Sequence, residues 1–117
     1  MTASASELEE ALYGQLCLMV GQARQPWPVP EREYRFAPPR HWRADFAYPE
    51  QRILIECEGG IYSNGRHVRG KGYEADMEKY STAAVAGWRV IRVSRRHITS
   101  GEALRMIEAA LFAEVNR

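Results

Sequence analysis

The sequence predicts an α/β domain, a four-stranded mixed sheet flanked by helices, with an extra helix at the C-terminal end. Three observations predict it. Apolar residues recur at helical spacing near both ends, as Leu8, Leu12, Leu16, Met19 and as Leu104, Ile107, Leu111. Short apolar runs lie between them, punctuated by proline and glycine. The order that results is α-β-β-β-α-β-α. The helix between the last two strands makes those strands parallel, whereas the first three form an antiparallel meander. The 117 residues suit one domain over 1–117.

The elements follow in order. Residues 4–22 read as a helix, opened by a Ser6/Glu9 capping box. Pro26, Pro28 and Pro30 make a stiff connector, with Trp27 expected against the core. Glu33–Phe36 is the first strand, broken by Pro38-Pro39. Arg43–Tyr48 is the second, and Pro49-Glu50-Gln51 turns the chain. Arg52–Glu58 is the third and clearest, through Ile53, Leu54 and Ile55. A loop from Gly59 to about Gly72 holds five glycines. A helix over 73–86 would bury Tyr73, Met77, Tyr80 and Ala84 and end at Gly87. Trp88–Val93 is the fourth strand, followed by a basic turn at Arg95, Arg96 and His97. A last helix over 100–116 takes Thr99 and Glu102 as its capping box.

Composition excludes several classes. The hydrophobic fraction of 45% and charged fraction of 26% are those of a globular domain. No apolar run approaches the ~18–20 residues that span a membrane. The first residues lack a basic segment followed by an apolar one, so no secretory signal is expected. Cys17 and Cys57 lack the spacing of a disulfide or metal framework and are expected to be free, buried thiols, as in a reducing cytoplasm. The net charge of +1 is no general advertisement for nucleic acid. Only Lys71 and Lys79 are lysines, which narrows any search for a catalytic ammonium.

The acids in the strands carry the chemistry. Strand side chains alternate, so Leu54, Glu56 and Glu58 share one face and Ile53, Ile55 and Cys57 the other. Asp45 interrupts an otherwise apolar strand. In a suitable register Asp45, Glu56 and Glu58 converge. Three carboxylates on a partly buried face repel one another and lose hydration unless a cation compensates. Hard oxygen donors favour Mg²⁺ or Mn²⁺, and such an ion beside a phosphodiester activates water and stabilises developing charge. On a helical wheel with Leu8 at zero, Glu9 falls at about 100°, within the apolar arc, and faces the sheet. The bland readings stay open. Glu9 is also the third residue of a capping box, Asp45 can pair with an arginine, and Glu56 and Glu58 can pair with Arg43 and Arg92.

The run Arg43-Ala-Asp45-Phe46, then Ile53-Leu-Ile-Glu56-Cys-Glu58-Gly59-Gly60, resembles the core of PD-(D/E)XK nucleases. Asp76-Met-Glu-Lys79 and Gly87-Trp88-Arg-Val90-Ile-Arg92 extend the likeness, as do Ser6, Glu9, Leu12, Tyr13 and Leu16. Together they are similar to small bacterial and phage proteins related to the very-short-patch repair (Vsr-like) endonucleases. The resemblance implies a restriction-endonuclease-like αβββαβ core and metal-dependent DNA hydrolysis. It implies that Asp45 and Glu56 hold the ion with the backbone carbonyl of Cys57. Glu58 stands where the family has its lysine. Glu58 would then bind a second ion or orient water, and Lys79 would restore the positive charge. Otherwise Lys79 is a surface partner of Asp76 or Glu78.

The glycine-rich loop is basic. Gly65-Arg-His-Val-Arg-Gly70-Lys71-Gly72 approaches a phosphate-binding loop but has Gly72 where the hydroxyl belongs, which argues against nucleotide hydrolysis. Arg66, Arg69 and Lys71, with Arg43, are read as nucleic-acid contacts giving salt-sensitive affinity. His67 is read as acting near the scissile phosphate. A solvated loop is the plain alternative. The expected function is a Mg²⁺- or Mn²⁺-dependent endodeoxyribonuclease, cytoplasmic, acting on a DNA structure rather than a defined sequence. A homodimer is compatible with it, since a duplex needs two cuts. The alternative is a catalytically silent nucleic-acid-binding module with the same fold; a purely structural domain is the third reading.

Overall fold

The computed structural model describes residues 5–22, 24–58 and 71–113. Helix α1 spans Ala5–Val20, strand β1 Glu31–Arg35 and strand β2 Arg43–Tyr48. A 3-10 turn at Pro49–Gln51 leads into β3, Ile53–Glu58. Helix α2 (Lys71–Val85), β4 (Arg89–Ser94), α3 (Arg95–Ser100) and α4 (Glu102–Phe112) follow. The sheet order is β1-β2-β3-β4. The first two pairings are antiparallel and β3–β4 is parallel. The expected mixed four-stranded sheet with flanking helices is therefore present. No helix among the described residues is long and apolar enough to cross a membrane.

Two apolar layers hold the helices to the sheet. On one face Leu8, Leu12 and Leu16 of α1 pack with Phe46, Tyr48, Ile53 and Ile55, joined by Ile98 and Ile107. Burying each such side chain stabilises the fold by roughly 1.5–3 kcal/mol. Trp27 is buried beside them, as the connector predicts, and meets Phe112 edge-on. On the other face Leu54, Trp88 and Ala83 of α2 pack with Phe36, Ala44 and Ala47.

Several local expectations are corrected. β1 begins two residues early, directly after Pro30, and ends at Arg35, so Phe36 lies past the strand and packs into the core. Arg52 is left out of β3 because it takes a left-handed conformation (φ 59°) that closes the 3-10 turn. The basic segment at Arg95, Arg96 and His97 is helical, not a turn. Ser94 caps it, with His97 Nδ1 accepting in return from the Ser94 backbone N–H at 2.9 Å. The capping box is thus Ser94/His97 rather than Thr99/Glu102. Gly101, at φ 87°, separates α3 from a shorter α4. α2 buries Ala83, while Met77 and Ala84 point to solvent and Tyr80 is half-buried. One small residue suffices there because Trp88 fills the adjoining space. Cys17 is exposed rather than buried, since it falls about 180° from Leu8 around α1; Cys57 is half-buried.

Candidate active site

The site is built where the β1–β2 ladder breaks. The paired residues are Glu31↔Ala47, Arg32↔Phe46, Tyr34↔Ala44 and Arg35↔Arg43, so Glu33 and Asp45 stand opposite each other without forming a rung. Glu33 has φ 50°, in the left-handed region that side chains rarely adopt. Its effect is visible in the packing. Phe46 lies in the layer beneath α1, yet Ala44 and Tyr34 lie in the layer beneath α2. Both strands switch faces at the Glu33/Asp45 step, and simple alternation along β2 fails there.

β2 also leaves β3 at this step. Their rungs run Tyr48↔Ile53, Ala47↔Leu54 and Phe46↔Ile55 and stop. The Asp45 carboxylate bridges the gap, its Oδ2 accepting from the Cys57 backbone N–H at 2.7 Å. Around it three carboxylates from three elements meet. Oxygens of Glu9, Glu33 and Asp45 all lie within 4.8 Å of one another. Glu9 faces the sheet as the wheel predicts, with its side chain 18% exposed. Its Ser6 capping partner has a side chain outside the described residues. Arg32 answers this charge from β1, 3.5 Å from Glu9 and hydrogen-bonded to Glu10.

Glu56 and Glu58 lie outside that trio, each held by a cation. Lys79 Nζ reaches down from α2 to 2.9 Å from Glu56 Oε2. Lys79 is therefore neither a partner of Asp76 nor of Glu78, which pairs instead with Arg40. Glu56 is 8% exposed, and its Oε2 has no well-aligned hydrogen bond, so the contact with Lys79 is an ion pair at an oblique angle. Glu58 Oε2 lies 2.9 Å from Arg92 Nε on the neighbouring strand, as one of the bland readings has it. The Arg92 guanidinium and the Lys79 ammonium both sit over the ring of Tyr80. Arg43 Nε lies 3.7 Å from Glu33.

The acids hold protons more tightly than usual. Burial pushes Glu56 up to about 7, with the charges of Asp45 and Glu58 adding and Lys79 opposing. Burial also raises Glu9 to about 7, helped by a hydrogen bond with Glu33 and by the charge of Asp45, against Arg32. Asp45 is raised by burial, while the hydrogen bond from Cys57 pulls the other way. Clustered acids at such cost suit a cation. The donors are all carboxylate oxygens, a hard set that fits Mg²⁺ or Mn²⁺ better than a softer ion.

Arg66, His67 and Arg69 lie outside the described residues. Lys71 opens α2 instead of closing the loop, and its side chain lies outside them too. Glu33 is the site residue the linear reading missed. No local signal marks it: residue 33 comes opposite Asp45 through the register of the hairpin, which folds about Pro39. No protein-family model, no curated protein and no solved structure matches this chain.

Proposed function

We propose that the chain is a metal-dependent endonuclease of the PD-(D/E)XK type, hydrolysing DNA phosphodiester bonds with structural rather than sequence selectivity. The observation that carries this reading is the Lys79–Glu56 contact beside Asp45. It brings an ammonium from α2 to the acid at the end of the apolar strand, where Glu58 has replaced the family's lysine. Asp45 and Glu56 would hold Mg²⁺ or Mn²⁺ with the carbonyl of Cys57; Glu9 and Glu33 crowd Asp45 and supply further oxygens. When bound, that ion activates water and offsets the charge of the phosphorane-like transition state. The chain's own groups then have defined tasks. Lys79 steadies negative charge near the attacked phosphorus. Glu56 is held in place for ligation of the ion by the same ammonium. Arg43 lies at the rim, within reach of the phosphate backbone.

One observation favours the second reading, a binding module without catalysis. Glu58, which stands at the position of the family's lysine, is tied to Arg92. The deciding test is cleavage of labelled single-stranded, duplex, flapped and four-way-junction DNA in Mg²⁺ and Mn²⁺, with EDTA and Asp45→Asn alongside. Metal-dependent cutting that disappears in the variant supports the nuclease. Tight DNA binding without cutting of any substrate supports the silent module.

A further inference from the structure

The tip of the β1–β2 hairpin carries cations that the acid cluster does not use. From Arg35 to Arg43 the chain has three arginines and one histidine and no acidic residue. Arg35 serves the turn itself, donating from Nη2 to the carbonyls of Pro39 and Arg40 at 3.4 and 3.1 Å. Arg40 is placed differently. Its guanidinium lies over the Trp42 ring, 4.3 Å from the centroid. Trp42 in turn stacks on buried Phe36, with ring centroids 6.3 Å apart and planes 17° from parallel. The indole is therefore a fixed shelf. A guanidinium resting over it is restrained by the ring, and a guanidinium's N–H fork grips phosphate oxygens in pairs.

The present partner of that fork is Glu78, 2.7 Å away, with the two side chains 53% and 57% exposed. Exposed ion pairs of this kind are weak and exchange readily. The position is informative as well. Glu78 immediately precedes Lys79, which holds Glu56, and at the other side of the hairpin Arg43 leans on Glu33 of the carboxylate trio. Arg40 thus stands on the rim of the candidate site. Arg43, three residues on, is a second exposed arginine, so the anion that fits here is one with charge repeated along its length.

We propose that the Arg40–Trp42 shelf binds a backbone phosphate of the nucleic-acid strand, and that Glu78 is the carboxylate this phosphate displaces. The inference rests on the nucleic-acid reading above and adds a positioning contact and an internal competitor to it. Glu78 holds the shelf closed to weak anions and yields to a polyanion.

The test is equilibrium binding of fluorescently labelled DNA, a single strand and its duplex, to the full chain in EDTA across a salt series. Arg40→Gln should weaken binding and lower the slope of log affinity against log salt by about one. Glu78→Gln should tighten binding by roughly two- to fivefold, the size of one exposed ion pair. Both side chains are exposed, so neither change disturbs the core. Any nearby change of charge gives opposite signs, so competition is read from the double variant: Glu78→Gln should lose its effect in the Arg40→Gln background, whereas independent charge effects would add. Additive effects of the two substitutions, or unchanged affinities, would overturn the shelf even if the wild type cuts DNA. Non-additive effects of opposite sign without cutting would uphold the shelf and overturn the nuclease. Wild-type protein that binds neither DNA would overturn both.

Discussion

Asp45 Oδ2 accepts a 2.7 Å hydrogen bond from the backbone N–H of Cys57, across the point where β2 and β3 cease to pair. One side chain thus stands in for a missing rung and also belongs to the carboxylate trio. The two roles separate by substitution. Asp45→Ala leaves a half-buried N–H without its acceptor and should destabilise by about 1–3 kcal/mol. Asp45→Asn keeps an acceptor oxygen and removes charge from a crowded site, so its thermal midpoint should stay close to wild type. Both should abolish metal-dependent cleavage. Chemical denaturation and a cleavage assay on the two variants check this; an Asp45→Asn protein as unstable as Asp45→Ala would show that the charge, not the acceptor, holds the strands.

Lys79 and Glu56 make the most buried ion pair of the site, with side chains 16% and 11% exposed. Truncating one partner of a buried pair strands the other charge. Lys79→Ala should cost roughly 1–3 kcal/mol at about pH 8, below the ~3–5 of a fully enclosed pair. Adding Glu56→Gln should recover part of that loss, since the stranded charge is gone. A double-variant cycle by urea unfolding measures the coupling, and additive effects would rule the pair out as a structural link.

The raised acids give the metal-free protein a pH signature. For Glu56 and Glu9 the folded values, about 7, exceed the ordinary 4.5. Between these values the folded state binds more protons than the unfolded one, so stability falls as pH rises. The preference for the folded state is complete below about 4.5, is lost through about 7, and is flat above. In EDTA the thermal midpoint should therefore drop across this window, and Glu9→Gln should flatten part of the drop. Added Mg²⁺ should raise the midpoint most at the alkaline end, where the ligands are deprotonated. A midpoint that climbs with pH in EDTA would contradict the assigned shifts.

The sheet was legible because its signals are local and its strands short. Ile53, Leu54 and Ile55 mark β3, and the helix between β3 and β4 dictates their parallel pairing. Gly87 stops α2 with the expected positive φ. The convergence of Glu9 on the sheet followed from the wheel. What could not be read was set by tertiary geometry. The alternation rule places Ala44 with Phe46, and only the left-handed Glu33 reverses it. That same step brings in Glu33 as a third carboxylate. The assignment of Lys79 to Glu56 rather than to a neighbour on its own helix depends on which way α2 is rolled, and its apolar stripe predicted a different roll. Met77 and Ala84 face water because Ala83 and Trp88 fill the contact with the sheet.

The two thiols should react at very different rates. Cys17 is exposed on the outer side of α1. Cys57 is half-buried on β3, where burial first and then the charges of Asp45, Glu9, Glu56 and Glu58 push its thiol up to about 12. The thiolate is the reactive form, so Cys57 is almost wholly protonated at about pH 8. An aromatic disulfide reagent should therefore modify one thiol promptly and the second only on unfolding. Cys17→Ser should remove the fast phase and leave the slow one. In Asp45→Asn the loss of one negative neighbour should bring the slow phase forward without reaching the rate of Cys17. Mg²⁺ bound at the carboxylates should act in the same direction, lowering the proton affinity of Cys57 through space. Two equally fast thiols in the native wild type would mean that β3 is not enclosed at its end, and the site built on Asp45 and Glu56 would lose its buried floor.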